Sequence, residues 1–406
     1  QKMQPQLARG LFPAHAIKTP GTIDLWISFP RSWIAAEVKQ ALQQGNFDLV
    51  NTDYQAYRVL GIRIAAYRLE ELAASPWVEY VQAIPAPDRE LNSNSMYASR
   101  ASILRAPLSA GGRALDGQGV VVGVGDNGDI QSHLDFSNRL INRTADLMRA
   151  HATHVAGTIG GAGIIQELYT GYAPKVTLLS QYYSGIFTEA PAYVQDFGMV
   201  ITNNSFGAVV DDCNYNGLYD LTSRILDQQA IDLPELQQVF AAGNNGTLTC
   251  SPYPAGFKTV LGGYQSAKNV LTVGSTDLRS AISSFSSRGP VKDGRIKPEI
   301  MSQGTFVAST WTGNAYSYNN GTSMAAPGVS GGLALLVQRY RQLNAGANPK
   351  NGLSKAILIN GADDKGNSGP DFRFGFGRLN LVRSLAMLEG GTYFTDAVAN
   401  SVTNTH

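Results

Sequence analysis

Short apolar stretches alternate with helical stretches along this chain from Gly119 onward, and this alternation is the feature that most constrains the fold. The apolar stretches have the length of buried strands, and they lie at residues 120–124, 176–180, 199–201, 238–242 and 269–273. Strands that alternate with helices form a parallel sheet with helices on both faces. Because such sheets hold their ligands at the carboxyl ends of the strands, we expect the functional groups there.

The charge and hydropathy of the chain exclude several classes of function. Its 406 residues carry a formal net charge of +1, and 16% of them are charged. A nearly neutral chain offers no basic surface for nucleic acid, so no nucleic-acid partner is expected. No apolar run approaches the roughly 18 residues of a membrane-spanning helix, so no membrane span is expected either.

Asp126, His151 and Ser323 lie in separate motifs and are the residue types that together activate a serine nucleophile. A seryl oxygen attacks a carbonyl carbon when an imidazole takes its proton and a carboxylate orients that imidazole. Asp126 directly follows an apolar strand, and Ser323 begins a long helix rich in small residues. A helix N-terminus favours developing negative charge, although an isolated serine in this position is more often only a helix cap.

Neighbouring residues offer alternatives for two of these roles. Asp129 and Asp135 also carry carboxylates, but Asp129 lies in the turn itself and Asp135 lies further on, so neither follows the strand directly. His154 follows His151 by three residues, and such a pair can bind zinc, but no further Cys, Asp or Glu lies nearby. We therefore predict Asp126 as the carboxylate and no metal site.

The order of the three residues along the chain, Asp126, His151 and Ser323, is that of subtilisin and differs from the orders of chymotrypsin and the α/β-hydrolases. Residues 320–327 resemble the nucleophile motif of the subtilisin family, and residues 151–157 resemble its histidine motif. The resemblance implies a subtilisin-like α/β fold. It also implies a serine endopeptidase that hydrolyses polypeptides through an acyl-enzyme and requires no cofactor.

The resemblance implies roles for further polar residues. In the family the first histidine of the motif is the general base and the second packs locally, so His151 is expected to be the base and His154 structural. Asn244, which follows Gly243, resembles the asparagine of the family's oxyanion hole. Its N–H₂ group would stabilise the negative charge of the tetrahedral intermediate, with Gly243 beside it in the substrate-binding region.

Two segments resemble the parts of the family that bind substrate. Ser205, Phe206 and Gly207 resemble the segment whose backbone pairs with an extended substrate as an added strand. Residues 253–255 resemble the segment that flanks the pocket for the side chain just before the scissile bond. Neither segment contains a charged residue, so a broad or apolar preference is expected.

The two cysteines, Cys213 and Cys250, each lie in a polar loop after a motif strand. In the subtilisin-like sheet those strands are neighbours, so the resemblance implies a disulfide, with two free thiols as the alternative. A disulfide favours a secreted or cell-envelope location. The N-terminus lacks the pattern of a signal peptide, which fits either a signal that has been removed or an intracellular protein.

Residues 212–217 have the oxygen spacing that opens an EF-hand calcium loop. The twelfth position of such a loop would be Ser223, where calcium binding requires a bidentate glutamate. We therefore expect a polar turn there, with a calcium site as the alternative.

The N-terminal part of the chain, residues 20–90, has the pattern βαββαβ of a ferredoxin-like fold. Residues 69–81 resemble the end of the inhibitory prodomain that precedes many members of the subtilisin family. The predicted organisation is a prodomain that partners the enzyme, a linker with the cleavage region, the peptidase domain and a polar tail, at residues 1–91, 92–114, 115–390 and 391–406.

Two other functions fit parts of the sequence. A catalytically silent subtilisin-like binding module, held as a zymogen, would keep the fold, but all three triad residues and Asn244 are present. A lipase or esterase needs Gly-x-Ser-x-Gly, and Ala325 occupies the position of its last glycine. The sequence therefore favours the endopeptidase.

Overall fold

The computed structural model describes residues 2–13, 16–84, 94–144, 147–208 and 212–395. The chain divides into two compact units, Gln1–Glu90 and Leu91–His406. The predicted junction between prodomain and linker, residues 85–93, lies outside the described residues, as do residues 396–406 of the predicted tail.

The N-terminal unit is an antiparallel sheet with two helices. Its elements are β1 (Ile17–Thr19), β2 (Thr22–Ser28), α1 (Ala35–Gln44), β3 (Asp48–Asn51), β4 (Val59–Ala65), α2 (Leu69–Ala74) and β5 (Tyr80–Ala83). Strand β2 pairs with β4 and β5, β4 also pairs with β3, and all these pairs are antiparallel. The spatial order β5-β2-β4-β3, with β1 as a hairpin on β2, is the predicted ferredoxin-like topology.

Helix α1 packs on this sheet through Val38 and Leu42, which lie four residues apart and are buried. The N-cap residue of this helix is Ile34. Its backbone N–H donates to Glu37 Oε2 at 3.1 Å, so the carboxylate in the first turn performs the capping.

The C-terminal unit is built on a seven-stranded parallel sheet. The strands described in the whole unit are β6 (Val121–Asp126), β7 (Asp129–Ile130), β8 (Leu140–Asn142), β9 (Met148–Arg149), β10 (Thr177–Tyr182), β11 (Met199–Asn204), β12 (Gln237–Ala241), β13 (Leu271–Thr276), β14 (Ile300–Gln303), β15 (Val307–Trp311) and β16 (Ala315–Asn319). The sheet order is β14-β13-β12-β11-β6-β10-β8, while β7 pairs with β9 and β15 with β16. The sequence predicted the five inner strands and missed β8 and β14, the short strands at the two edges.

Helices cover both faces of this sheet. They are α3 (Asn94–Ala98), α4 (Ala101–Arg105), α5 (Ala150–Gly160), α6 (Gly185–Thr188), α7 (Ala190–Phe197), α8 (Leu221–Asp232), α9 (Thr322–Leu343), α10 (Asn351–Asn360) and α11 (Leu381–Glu389). Successive strand residues point to opposite faces, and Val239 packs in the core with α5 and α9, whereas Phe240 packs in the core with α6, α7 and α8. Within the described ranges, no helix is long and apolar enough to cross a membrane.

Residues 94–110, within the predicted linker, contain helices α3 and α4 and a short 3-10 turn. Ala101 and Leu104 of α4 are fully buried in the core that α9 and α11 share. This segment is therefore part of the C-terminal unit, because Ala101 and Leu104 lie in the core of that unit.

The register of the sheet brings the ends of three strands together. Asp126 at the end of β6 is level with Tyr182 of β10, and Asn204 of β11 is level with Gly125 and with Phe240 of β12. All these strands run parallel, so the loops after β6, β11 and β12 leave from one edge. Helix α9 packs across β11, β12, β13 and β14, and its first turn lies near that edge.

Candidate active site

Asp126 and His151 form a hydrogen-bonded pair at the carboxyl edge of the sheet. Asp126 is the last residue of β6, and His151 is the second residue of α5. His151 Nδ1 lies 2.8 Å from Asp126 Oδ1, which also accepts the backbone N–H of Asn127 at 2.8 Å. The Asp126 side chain is 2% exposed and the imidazole is 35% exposed. A buried carboxylate thus orients the ring and leaves Nε2 as the nitrogen that can take up a proton.

The pKa of His151 lies above its ordinary value. Burial by itself disfavours the charged ring and lowers the pKa of His151, but the hydrogen bond to Asp126 and the negative charge of that carboxylate outweigh burial. Asp126 therefore stabilises the imidazolium that forms when His151 accepts a proton.

Ser323 is the second residue of α9, and it exchanges hydrogen bonds with the segment that follows β11. Ser323 Oγ donates to the Ser205 carbonyl at 3.1 Å, and Ser205 Oγ donates to the Ser323 carbonyl at 2.8 Å. A hydroxyl has a single hydrogen, so the Ser323 proton points to Ser205 in this structure. Donation to any other acceptor would require this hydroxyl to turn.

The carboxamide of Asn244 is held in one orientation by Thr322. Asn244 Oδ1 accepts hydrogen bonds from the Thr322 backbone N–H at 2.9 Å and from Thr322 Oγ1 at 3.0 Å. Because a backbone N–H can only donate, the bonded atom is the oxygen and Nδ2 lies on the other side of the carboxamide. A Cβ placed on Gly321 would be 3.5 Å from that Nδ2. The N–H₂ group therefore lies beside the loop that leads into Ser323.

A cavity of about 600 Å³ opens beside Ser323. Residues 205–208, after β11, and residues 243–245, after β12, contribute much of its wall. The described residues that line the cavity are Tyr183, Ser205, Phe206, Gly207, Ala208, Ala241, Gly243, Asn244, Asn245, Leu261, Tyr264, Thr322 and Ser323. None of these residues is charged.

Sequence reasoning missed several residues of this cavity, among them Leu261 and Tyr264. Residues 253–255, which were expected to flank the pocket, are not among its lining residues. The turn that brings Leu261 and Tyr264 to the cavity contains Gly262 and Gly263, and Gly263 has a φ of +68°. Two adjacent glycines between an apolar and an aromatic residue were the signal in the sequence for this tight turn.

The sequence model of the Subtilase family matches residues 117–377 of this chain. The chain belongs to the subtilase family. It is 30% identical to subtilisin DY of Bacillus licheniformis over 286 residues, which cover 65% of this chain and 90% of that protein. It is 27% identical to thermitase of Thermoactinomyces vulgaris over 286 residues, covering 66% and 90% of the two chains. This subtilase is therefore a serine-type endopeptidase, as the sequence predicted.

Further comparisons agree with this assignment. Alkaline serine exoprotease A of Vibrio alginolyticus is 30% identical over 308 residues, which cover 70% of this subtilase and 51% of that protein. The structure of the CspB protease of Clostridium perfringens superposes with a TM-score of 0.63, covering 73% of this chain and 99% of that one. At 17% identity the superposition concerns the fold alone, and it confirms the predicted subtilisin-like sheet.

His154 of this subtilase is buried between α5 and the β15–β16 hairpin. Its Nε2 lies 2.9 Å from the Val307 carbonyl and 3.1 Å from the Ser317 carbonyl. Burial lowers the pKa of His154 to about 4, although both carbonyls favour the charged ring. His154 is therefore neutral at ordinary pH and links the helix that carries His151 to a neighbouring hairpin.

The two alternative carboxylates are engaged elsewhere. Asp129 Oδ1 accepts a hydrogen bond from Thr144 Oγ1 at 2.7 Å. Asp135 is fully buried and accepts hydrogen bonds from the Ile164 backbone N–H at 2.8 Å and from the Tyr316 hydroxyl at 3.0 Å. Of the three carboxylates, Asp126 is the one that bonds to His151.

Cys213 and Cys250 are joined by a disulfide, with their Cα atoms 5.4 Å apart. In the suggested calcium loop, Asp212 Oδ1 accepts the backbone N–H of Asn214 at 2.8 Å, which is the bond of a polar turn. In the part of the chain that the structure describes, no three His, Cys, Asp or Glu residues are grouped so that they could hold a metal ion.

Proposed function

We propose that this subtilase cleaves polypeptides with Ser323 as the nucleophile, His151 as the general base, Asp126 as its orienting carboxylate and Asn244 as the donor to the oxyanion. The 2.8 Å hydrogen bond between His151 and Asp126 carries this proposal. That bond holds the ring with Nε2 as the base, and it raises the pKa of the ring that must accept the serine proton.

Acylation begins when the Ser323 hydroxyl turns from the Ser205 carbonyl toward His151. As Ser323 Oγ attacks the carbonyl carbon of the substrate, its proton passes to His151 Nε2. The imidazolium then gives this proton to the leaving amine as the carbon–nitrogen bond breaks, which leaves an ester on Ser323. A water molecule activated by the same ring hydrolyses the ester and regenerates the free serine.

The oxyanion of each tetrahedral intermediate needs donors that are already in place. Thr322 fixes Asn244 by two hydrogen bonds to Oδ1, so Nδ2 requires no reorganisation when the negative charge forms. The backbone N–H of Ser323 is a second donor, because the first N–H groups of a helix have no intrahelical partner.

The proposed substrate is an extended peptide that pairs with residues 205–207. Among the described residues, the N–H and C=O groups of Gly207 have no hydrogen-bond partner, which suits the addition of a strand. The uncharged cavity beside Ser323, with Gly243 in its wall, suits an apolar side chain before the scissile bond.

The N-terminal unit is proposed to act as an inhibitory prodomain of residues 1–91, with the cleavage region at 92–114 and the peptidase domain at 115–390. Its ferredoxin-like topology and its position directly before the peptidase domain support this role. The disulfide supports a secreted or cell-envelope location for the enzyme.

Labelling with a fluorophosphonate probe tests the proposed nucleophile. The wild-type chain should be labelled, and Ser323→Ala should not be labelled while it keeps its circular dichroism spectrum and melting temperature. Ser330→Ala is the matched control, because Ser330 lies on the same helix and its hydroxyl bonds to Asn203 at 2.9 Å. Equal labelling of the wild type and Ser323→Ala would reject the proposal, and an unlabelled wild type would favour a silent binding module.

A further inference from the structure

We propose that Gln265 is a positioning residue that holds the substrate-pairing segment, residues 205–207, in the geometry that an extended peptide requires. The inference rests on the proposed function and adds a residue to it. Gln265 lies in a 3-10 turn, Gly263–Ser266, far along the chain from the segment it contacts.

The side-chain amide of Gln265 binds the backbone in the middle of this segment. Gln265 Nε2 donates to the Phe206 carbonyl at 2.8 Å, and the residue is fully buried. The turn that carries it is itself tied to β13, because Thr272 Oγ1 donates to the Gln265 carbonyl at 2.9 Å. The amide therefore connects the segment to the rigid sheet.

Gly207 lies directly against this amide. A Cβ on Gly207 would be 2.6 Å from Gln265 Nε2 and 2.8 Å from Leu261 Cδ1, so a side chain at residue 207 would fit only if Gln265 and Leu261 shifted. The absence of a side chain at Gly207 thus lets the backbone of the segment approach the Gln265 amide closely. The N–H and C=O groups of Gly207, unpartnered among the described residues, are the ones that would pair with the peptide.

The neighbouring residue, Tyr264, holds the side chain of the same segment. Its ring packs against Phe206 with centroids 5.5 Å apart and stacks on Phe240 of β12 with centroids 5.7 Å apart and planes 8° apart. The turn thus contacts residue 206 twice, at the carbonyl through Gln265 and at the ring through Tyr264.

Gln265 uses only part of the hydrogen-bonding capacity of its amide. Within the described residues, Gln265 Oε1 is buried and has no partner, and an unpaired buried acceptor destabilises the folded protein. A methionine would fill a similar volume without that cost. The hydrogen bond that the Gln265 N–H₂ group donates to the Phe206 carbonyl, rather than packing, therefore accounts for a glutamine at this position.

A comparison of two substrates distinguishes a positioning role of Gln265 from a purely structural one. The first is a tetrapeptide p-nitroanilide, which can pair with Gly207, and the second is an N-acetyl ester of the same last residue, which is too short to pair. We expect Gln265→Met to lower the ratio of kcat/KM for the tetrapeptide to kcat/KM for the ester by about tenfold, the effect of one well-placed hydrogen bond. Gln265→Leu, which also lacks any donor, should lower the same ratio.

Gln237→Met is the matched control. Gln237 is also buried, donates Nε2 to the carbonyl of Gln238 at 3.2 Å and has an unpaired Oε1 within the described chain, but it lies at the start of β12, away from the site. Its substitution should leave the ratio unchanged. An unchanged ratio in both Gln265 variants, or an equal fall in Gln237→Met, would overturn the inference. A wild type that hydrolyses neither substrate would instead reject the proposed function.

Discussion

Ser205 Oγ donates a hydrogen bond of 2.8 Å to the carbonyl oxygen of Ser323 and thereby occupies an acceptor that helix α9 leaves open. In an α-helix the carbonyl of residue i accepts the N–H of residue i+4. For Ser323 that residue is Pro327, which has no N–H to give. Ser205 supplies the missing donor and so connects the turn that carries Ser323, the proposed nucleophile, to the segment after β11.

Removing the Ser205 hydroxyl should therefore impair catalysis through the position of Ser323. We expect Ser205→Ala to lower kcat roughly five- to tenfold and to lower the melting temperature, because a bond of about 1 kcal/mol is lost and the Ser323 carbonyl is left unpaired. Steady-state kinetics and thermal melts measure both effects. Ser205→Thr retains a hydroxyl and should recover most of the activity, and a Thr variant as impaired as Ala would contradict the explanation.

Replacing Asn244 by Asp tests the oxyanion donor with little change in shape. The aspartate can still accept both hydrogen bonds from Thr322, but it has no N–H₂ group. We expect kcat to fall about 100- to 1000-fold, the size of the effect known for subtilisin itself. KM should change little, because the oxyanion forms only in the transition state. A rise confined to KM, with kcat unchanged, would show that Asn244 binds the ground state instead.

The pH dependence of kcat/KM should report the His151–Asp126 pair. As the proposed general base, His151 must be neutral, so we expect activity to be lost as the pH falls through the pKa of His151, which Asp126 raises. Asp126→Asn removes the negative charge while burial remains, so the acid limb of the profile should move to lower pH and kcat should fall about 10⁴-fold. Asp135→Asn is the control and should leave the limb in place. A limb that stays fixed in Asp126→Asn would disprove the pairing.

Lys297 should make the stability of the fold depend on alkaline pH. Its Nζ lies 2.6 Å from Glu299 Oε1, and burial lowers the pKa of Lys297 to about 7 although Glu299 opposes the shift. An unfolded lysine titrates near 10.4, so between these two values the unfolded chain binds one proton more than the folded chain. The contribution of Lys297 to the free energy of unfolding therefore rises as the pH increases from about 7 to about 10.

Urea unfolding at about pH 7, 8.5 and 10 measures this rise. In a Ser323→Ala background, which prevents self-digestion, the parent should gain stability relative to Lys297→Met with each step in pH. The same substitution at Lys175, whose side chain is 59% exposed, is the control and should show no such trend. If the free energies of unfolding of the parent and of Lys297→Met changed with pH in parallel, the prediction that Lys297 loses its proton in the folded protein would be wrong.

Much of the fold was predictable because its signals are local. The inner strands of the parallel sheet appear in the sequence as short apolar runs. The N-terminal βαββαβ pattern appears as segments in which apolar residues recur with the period of a strand or of a helix, since each element must bury one or both faces. The edge strands β8 and β14 and the helices of residues 94–105 were missed. Those elements are short, and their burial depends on which distant elements cover them.

The sequence by itself determined the chemistry of the candidate site: which acid ends a strand, which histidine and serine begin helices, and in what order they occur. Only the tertiary structure decided what surrounds them. Leu261, Tyr264 and Gln265 meet the segment 205–207, and Ser205 meets Ser323, across long stretches of chain. Residue type and periodicity encode local conformation. Contacts between distant segments depend on how whole layers of helices and strands pack, and a local sequence pattern does not contain that information.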